Sequence, residues 1–342
     1  MATYVAEALN DPTLYFETLI WTGDGNTPRS LSGLEFQPNM VWSKRRDDAA
    51  GHNVLDSVRG AGVDAELCPS SDGVEGSNNQ NAYGYLSAFT SDGFTVTAGS
   101  SDNAYWNNNT ATYVAWNWKE SADAGFDIVT FTGNGSARTI SHSLSAVPKM
   151  MAVKNRSTSQ SWRIYHNALG ATKEIYFDLT DAAGTSSSTW NDTSPTSSVF
   201  SVGGGAGSNE NTSSIVAYLW AEKQGFSKFG KYTGNAADAG PFIYTGFRPA
   251  WIMCKASSDS GEGWHILDNK RDIDNPVLAK LAANATSAES ATAGDNNVDF
   301  LSNGFRIVTN DNGLNKNGVT FIFAAFAEAP FVNSNGVPCN AR

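Results

Sequence analysis

Three lysines, Lys44, Lys154 and Lys255, stand at one register of a repeated pattern. Each lies six residues after a proline (Pro38, Pro148, Pro249), and each proline lies sixteen after the threonine of a Thr-Gly pair (Thr22-Gly23, Thr132-Gly133, Thr233-Gly234). One charge held at one register three times invites a functional reading, so the lysine is the first group to weigh for chemistry. The groups it would need beside it do not repeat with it. Asp56 and Asp268 correspond, but His166 takes that place in the middle copy, and paired-carboxylate chemistry requires a partner acid at a fixed separation. Glu120, Glu222 and Glu328 do recur, at the ends of the copies, where a solvated charge closing a strand accounts for them. The lysines are expected to be structural too: each ends its strand and lays its stem over the sheet edge, blunting it against aggregation.

The remaining reactive residues form no known constellation. The histidines (His52, His142, His166, His265) show no His-x-x-x-His or Cys-x-x-Cys spacing, so no metal site is signalled. Cys68, Cys254 and Cys339 are odd in number and fall at unmatched places in the repeat, which points to free buried thiols. The glycine run Gly203 to Gly207 lacks the Lys-Ser/Thr of a phosphate loop, and no Gly-x-Ser-x-Gly elbow occurs. No catalytic residue, metal or cofactor is therefore expected, and the chain reads as a non-enzyme. The binding candidates are Tyr83, Tyr85, Tyr105 and Trp106, which stand beside Asn- and Asp-rich loops. Ring faces next to polar edges suit a sugar; the alternative is that these rings pack under their own loops or against another subunit.

The elements that must hold these residues are strands. Eighteen Phe, 11 Tyr and 10 Trp favour cross-strand contacts, and only 17% of residues are charged, so Ser, Thr, Asn and Gly must cover much of the surface. Each copy shows an opening strand before Thr-Gly, a Pro-led strand ending near the lysine, a middle strand and a closing strand (112–120, 215–222, 321–328). The expected fold is all-β: three tandem antiparallel β-sandwich repeats of jelly-roll or concanavalin-like type over 15–122, 123–223 and 224–329, with a leader at 1–14 and a tail at 330–342. One stretch reads as a short helix, with Asp274 or Asn275 as cap, Pro276 in the first turn and Val277 to Asn284 as its body.

A formal charge of −11 argues against a nucleic-acid binder, which needs a basic face, and against an anionic membrane surface. No apolar run approaches the 18 residues of a membrane span. The first residues show neither a basic start nor an apolar core, so no signal peptide is expected and synthesis in a cytoplasm is.

The residues Phe36-Gln37-Pro38-Asn39-Met40-Val41-Trp42-Ser43-Lys44, Asp56-Ser57-Val58-Arg59-Gly60-Ala61, Ser91-Asp92-Gly93-Phe94-Thr95-Val96 and Tyr113-Val114-Ala115-Trp116-Asn117-Trp118-Lys119 resemble a family of tailed-bacteriophage virion proteins. These are tail-fibre or appendage proteins of marine and cyanobacterial phages with lectin-like β-sandwich modules. The likeness covers about 10–120 and thins in the later copies. It implies a structural, non-enzymatic role in the virion and supplies no catalytic residues. An exposed tail fibre or appendage contributing to host recognition ranks first and a capsid decoration protein second, with a glycan-specific lectin or a polysaccharide depolymerase as competing classes. The expected partners are other virion proteins, further copies in a homotrimer or other homo-oligomer, and a host-surface glycan; nucleic acid and membrane insertion are not expected.

Overall fold

Along Thr112–Trp118, Tyr113 and Ala115 face one apolar cluster, and Val114, Trp116 and Trp118 face another. Ser214–Ala221 divides in the same way, with Ile215, Ala217 and Leu219 on one side and Val216, Tyr218 and Trp220 on the other. In Thr320–Pro330 the two sets are Phe321, Phe323 and Ala325, against Ile322, Ala324 and Phe326. A strand covered on both faces loses its apolar–polar alternation, and this is why the closing strands read as near-continuous apolar runs, broken within the first only by Asn117.

The structure is a computed structural model and describes residues 9–292, 294–295 and 297–332. It is all-β, and the strand pairings are antiparallel. In the first large sheet Phe16–Thr22 is followed in order by Thr112–Trp118, Met40–Arg45 and Asn53–Asp56. The order opening, closing, Pro-led, middle recurs as Phe126–Thr132, Ser214–Ala221, Pro148–Asn155, Arg163–His166, and as Ser227–Thr233, Thr320–Pro330, Phe247–Ala256, Trp264–Asp268. Each large sheet is faced by a small one: Arg29–Ser32 with Gly93–Thr97 and Tyr85–Thr90; Arg138–Ser141 with Val199–Val202; and Phe242–Tyr244 with Gly304–Ile307 and Val298–Leu301.

The inner faces of the three large sheets meet in a single cluster of aromatic side chains. Trp118 stands 6.3 Å from Trp220, 5.8 Å from Trp251 and 5.6 Å from Phe326, edge to face in each case. Such pairs add about 0.5–1.5 kcal/mol each beyond area burial. The void left among Trp118, Trp220, Trp251 and Phe326 is ≈ 10 Å³, room for one water at most. This centre is packed and offers no ligand cavity.

The Thr-Gly corners have the same surroundings in all three segments. Gly23, Gly133 and Gly234 donate to the carbonyls of Ala111, Ser213 and Val319, and their own carbonyls accept from Thr110, Thr212 and Gly318. A Cβ on Gly23 would lie 1.9 Å from the Asn108 oxygen, on Gly133 1.9 Å from Glu210, and on Gly234 2.3 Å from Lys316. Backbone approach this close admits only glycine. Each corner is pinned by an asparagine at 0% exposure, Asn107, Asn209 or Asn315, whose amide donates to the corner residue Asp24, Asn134 or Asn235.

The helix expected over Val277 to Asn284 does not form. Leu281–Ala282 is a strand, and Val277 and Lys280 make single bridges to Val298 and Ser290. Val277, Ala279, Leu281 and Ala283 are all buried, and the residues between them are only partly so. That period of two belongs to an extended chain and overrides the capping signal.

Candidate functional site

The lysines do not snorkel over a sheet edge, contrary to expectation. Lys44, Lys154 and Lys255 are each at 0% exposure, and their ammonium groups are caged by carbonyls. Lys44 Nζ donates to Arg45 O at 2.5 Å and Asp48 O at 3.2 Å. Lys154 Nζ donates to Asp72 O at 2.8 Å and Gln160 O at 2.6 Å, and Lys255 Nζ to Thr180 O, Ala256 O and Glu262 O at 3.2, 3.0 and 2.8 Å. Burial lowers all three from the usual lysine value to about 8. A lowered pKa would suit a nucleophile, but an amine enclosed by carbonyls has no face left for a substrate.

Two of these bonds cross from one segment to the next, as part of a set that runs in a circle. Gln160 donates its N–H to Asp72 O, Gly261 to Thr180 O, and Ala50 to Thr286 O. Trp162 Nε1 reaches Cys68 O at 3.0 Å, Trp264 Nε1 reaches Tyr176 O at 2.7 Å, and His52, at the matching place, reaches Ala282 O through Nε2 at 2.9 Å. Glu75, Ala183 and Glu289 donate their N–H groups to the carbonyls of Arg156, Ser257 and Arg46. First grips second, second grips third, and third grips first.

Two of the three seams carry a buried ion chain. Arg59 Nε binds Asp56 at 2.5 Å and its Nη1 binds Glu75 at 2.5 Å; Glu75 in turn meets Arg156 at 2.6 Å. At the closing seam Arg271 binds Asp268 at 2.5 Å and Glu289 at 2.8 Å, and Glu289 meets Arg46 at 2.7 Å. Tyr218 Oη donates to Asp56 and Trp116 Nε1 to Asp268, so both acids also tie down rings of the shared core. At the remaining seam the four places hold His166, Leu169, Ala183 and Ser257, and the ionic chain is gone as a whole. A single survivor would have been a buried unpaired charge, the costliest outcome.

The buried histidines are neutral. Trp42 Nε1 donates to His52 Nδ1 at 2.9 Å, which leaves the ring proton on Nε2 facing Ala282 O. The backbone N–H of Ala168 likewise fixes His166 Nδ1, and Nε2 faces Phe323 O. Burial pushes His52 and His265 down to about 3 and His166 to about 4. The closing glutamates are not simply solvated strand ends. Glu120 accepts from Ile128 N at 3.2 Å and Glu222 from Phe229 N at 3.3 Å, so each holds the opening strand of the next segment. Glu328 accepts from Arg248 and Asn269. Burial, with a hydrogen bond to Asp127, raises Glu120 to about 7.

The four aromatic binding candidates are not one surface. Trp106 is at 0% exposure within the apolar cluster of the first segment, and its carbonyl accepts from Trp21 Nε1 at 2.8 Å. It is a packing residue with no face to offer a sugar. Tyr83 is exposed and Tyr105 half-buried; their rings meet at 5.3 Å. Tyr85 begins the strand Tyr85–Thr90, half-buried and paired with Thr97. Sequence reasoning missed Asn107, Asn209 and Asn315, although each stands six residues before the first ring or aliphatic side chain of its closing strand (Tyr113, Ile215, Phe321). Cys68 and Cys254 are free and buried, as their spacing predicted, and Cys339 lies outside the described residues.

A family model described as a domain of unknown function (DUF7483) matches residues 11–330. The chain belongs to this family. No curated protein matches it. The match takes in every seam and corner described above. Among the described residues no group of three or more His, Cys, Asp or Glu is placed to hold a metal ion, and no helix is long and apolar enough to cross a membrane.

Proposed function

We propose that the chain is a structural protein of a bacteriophage particle, built of three tandem β-sandwich repeats and displayed on a tail fibre or other host-facing appendage. The observation that carries this reading is the circle of seam contacts. Lysines, arginines, acids and histidines that could have served chemistry are spent on joining one repeat to the next, the role of a scaffold. The likeness of Phe36 to Lys44 and Tyr113 to Lys119 to phage virion proteins supplies the virion context. One family model spanning 11–330 agrees with three copies inherited as one unit. On this reading the protein is no enzyme, its partners are other virion proteins and a host-surface glycan, and Tyr83, Tyr85 and Tyr105 are glycan contacts of the first repeat.

Capsid decoration is the second reading, and the closure of the circle within one chain favours it. A body with three like sides suits a point where three shell subunits meet, whereas a fibre commonly gains its threefold character from three chains. Gold-labelled antibody on intact particles separates the two: label on the tail supports the appendage, label over the whole shell supports decoration, and unlabelled particles overturn both.

A further inference from the structure

The small sheets differ on their outer faces in a way the scaffold does not require. Leu31, Ile140 and Ile243 occupy one register, buried and paired with Phe94, Phe200 and Phe305. The exposed residues on either side are Ser30 and Ser32 in the first segment and Thr139 and Ser141 in the second. In the third they are Phe242, 48% exposed, and Tyr244, 59% exposed. Two segments fold with hydroxyls at these places, so packing does not account for two aromatic rings in water. Tyr244 also walls an open hollow of ≈ 620 Å³, together with Phe331 and the polar side chains of Glu222, Gln224, Ser227 and Lys228. That volume is within the range of small-ligand sites, about 300–1,000 Å³.

We propose that this hollow is a binding cleft for a neutral saccharide, with Tyr244 as its stacking platform. A pyranose presents an apolar C–H face that packs on an aromatic ring, and a rim of hydroxyls that both donate and accept. The cleft supplies both: the Tyr244 face, and an edge carrying the Glu222 carboxylate, the Lys228 ammonium and the Gln224 amide. Lys228 Nζ donates to Glu222 at 2.7 Å, so the two charges cancel, which favours an uncharged sugar over an acidic one. The assignment rests on the host-facing reading above and adds to it a second recognition surface, on the third segment.

The test is full-length protein on an array of neutral and acidic oligosaccharides, followed by calorimetry with the best neutral binder. Tyr244→Ala is expected to weaken binding about tenfold, the worth of one lost ring contact, and Tyr244→Phe to retain it, because the ring face carries the contact. Val147→Ala, an exposed side chain outside the cleft, should leave it unchanged. The exposure of Tyr244 makes misfolding an unconvincing explanation of a loss, and an unaltered melting curve checks this. Absence of neutral-glycan binding, or a Tyr244→Ala protein that binds like the parent, overturns the proposal. So does binding that appears only after residues 333–342 are removed, which would give the cleft to the chain's own end. None of these results bears on particle labelling, so the cleft and the virion reading fail separately.

Discussion

Glu75 and Arg156 meet at 2.6 Å across the first seam although 81 positions separate them in the chain. Between them and Asp56 lies Arg59, wholly buried and bonded to both acids. The cost of breaking such a chain depends on what is left behind. Arg59→Leu leaves Asp56 buried without its cation, while Glu75 keeps Arg156, and is expected to cost about 3–5 kcal/mol of unfolding free energy. The fourfold change Asp56→His, Arg59→Leu, Glu75→Ala, Arg156→Ser copies the seam that lacks the chain and should cost less than Arg59→Leu alone. Urea unfolding of the two proteins decides it, and strict additivity would defeat the explanation.

The caged lysines make stability rise in mild alkali. With folded pKa values of about 8 against an unfolded value near 10.5, the folded protein releases these protons first. Their contribution is complete above 10.5 and is lost as pH falls through 8. The urea midpoint should therefore increase between pH 7.5 and 9.5, and Lys154→Met should remove about a third of that increase, since one of three like groups is gone.

In acid the buried histidines act in the same sense. Each resists protonation until pH 3 or 4, while the unfolded chain binds protons near 6.5, so their stabilisation is present above 6.5 and drains away as pH falls. Glu66 and Glu120, raised by burial to about 7, oppose this, because their contribution is lost as pH rises through 7. His166→Gln keeps a donor for Phe323 O and should narrow the gap in urea midpoint between pH 7 and pH 4.5.

Gly133→Ala brings a methyl group to 1.9 Å from the Glu210 oxygen. Backbone cannot yield as a flexible side chain does, so the change should cost at least the about 1–3 kcal/mol of an overpacked core. Gly170→Ala is a useful contrast: its added Cβ meets nothing within 4 Å, and only its φ of +81° is unfavourable. Melting temperatures of the pair separate crowding from backbone strain.

Strand positions were legible because the signals were local and threefold: Thr-Gly, the proline and the closing apolar run mark edges and corners whose requirements lie within a few residues. The lysine reading failed for the opposite reason. Whether Lys154 ends in water or beneath the Asp72 carbonyl depends on a loop some eighty positions away. The ion chains were hidden likewise, since Glu75 and Arg156 lie in different segments and align only when the seam is seen. Trp106 misled because an aromatic beside asparagines reads the same whether it stacks on a sugar or fills a core. The alternation of Val277, Ala279, Leu281 and Ala283 already marks an extended chain in the sequence, and it outweighs the cap and proline before it.

Three separate chains encoded by one gene must present three identical sides, and they fall apart on dilution. Covalent continuity removes both constraints from this protein: closure is unimolecular, independent of concentration, and a substitution alters one side alone. Phe242 and Tyr244 thus stand where the matching positions of the other segments hold serine and threonine, and one seam does without the ion chain that the other two have. Within one chain each flank can carry its own chemistry.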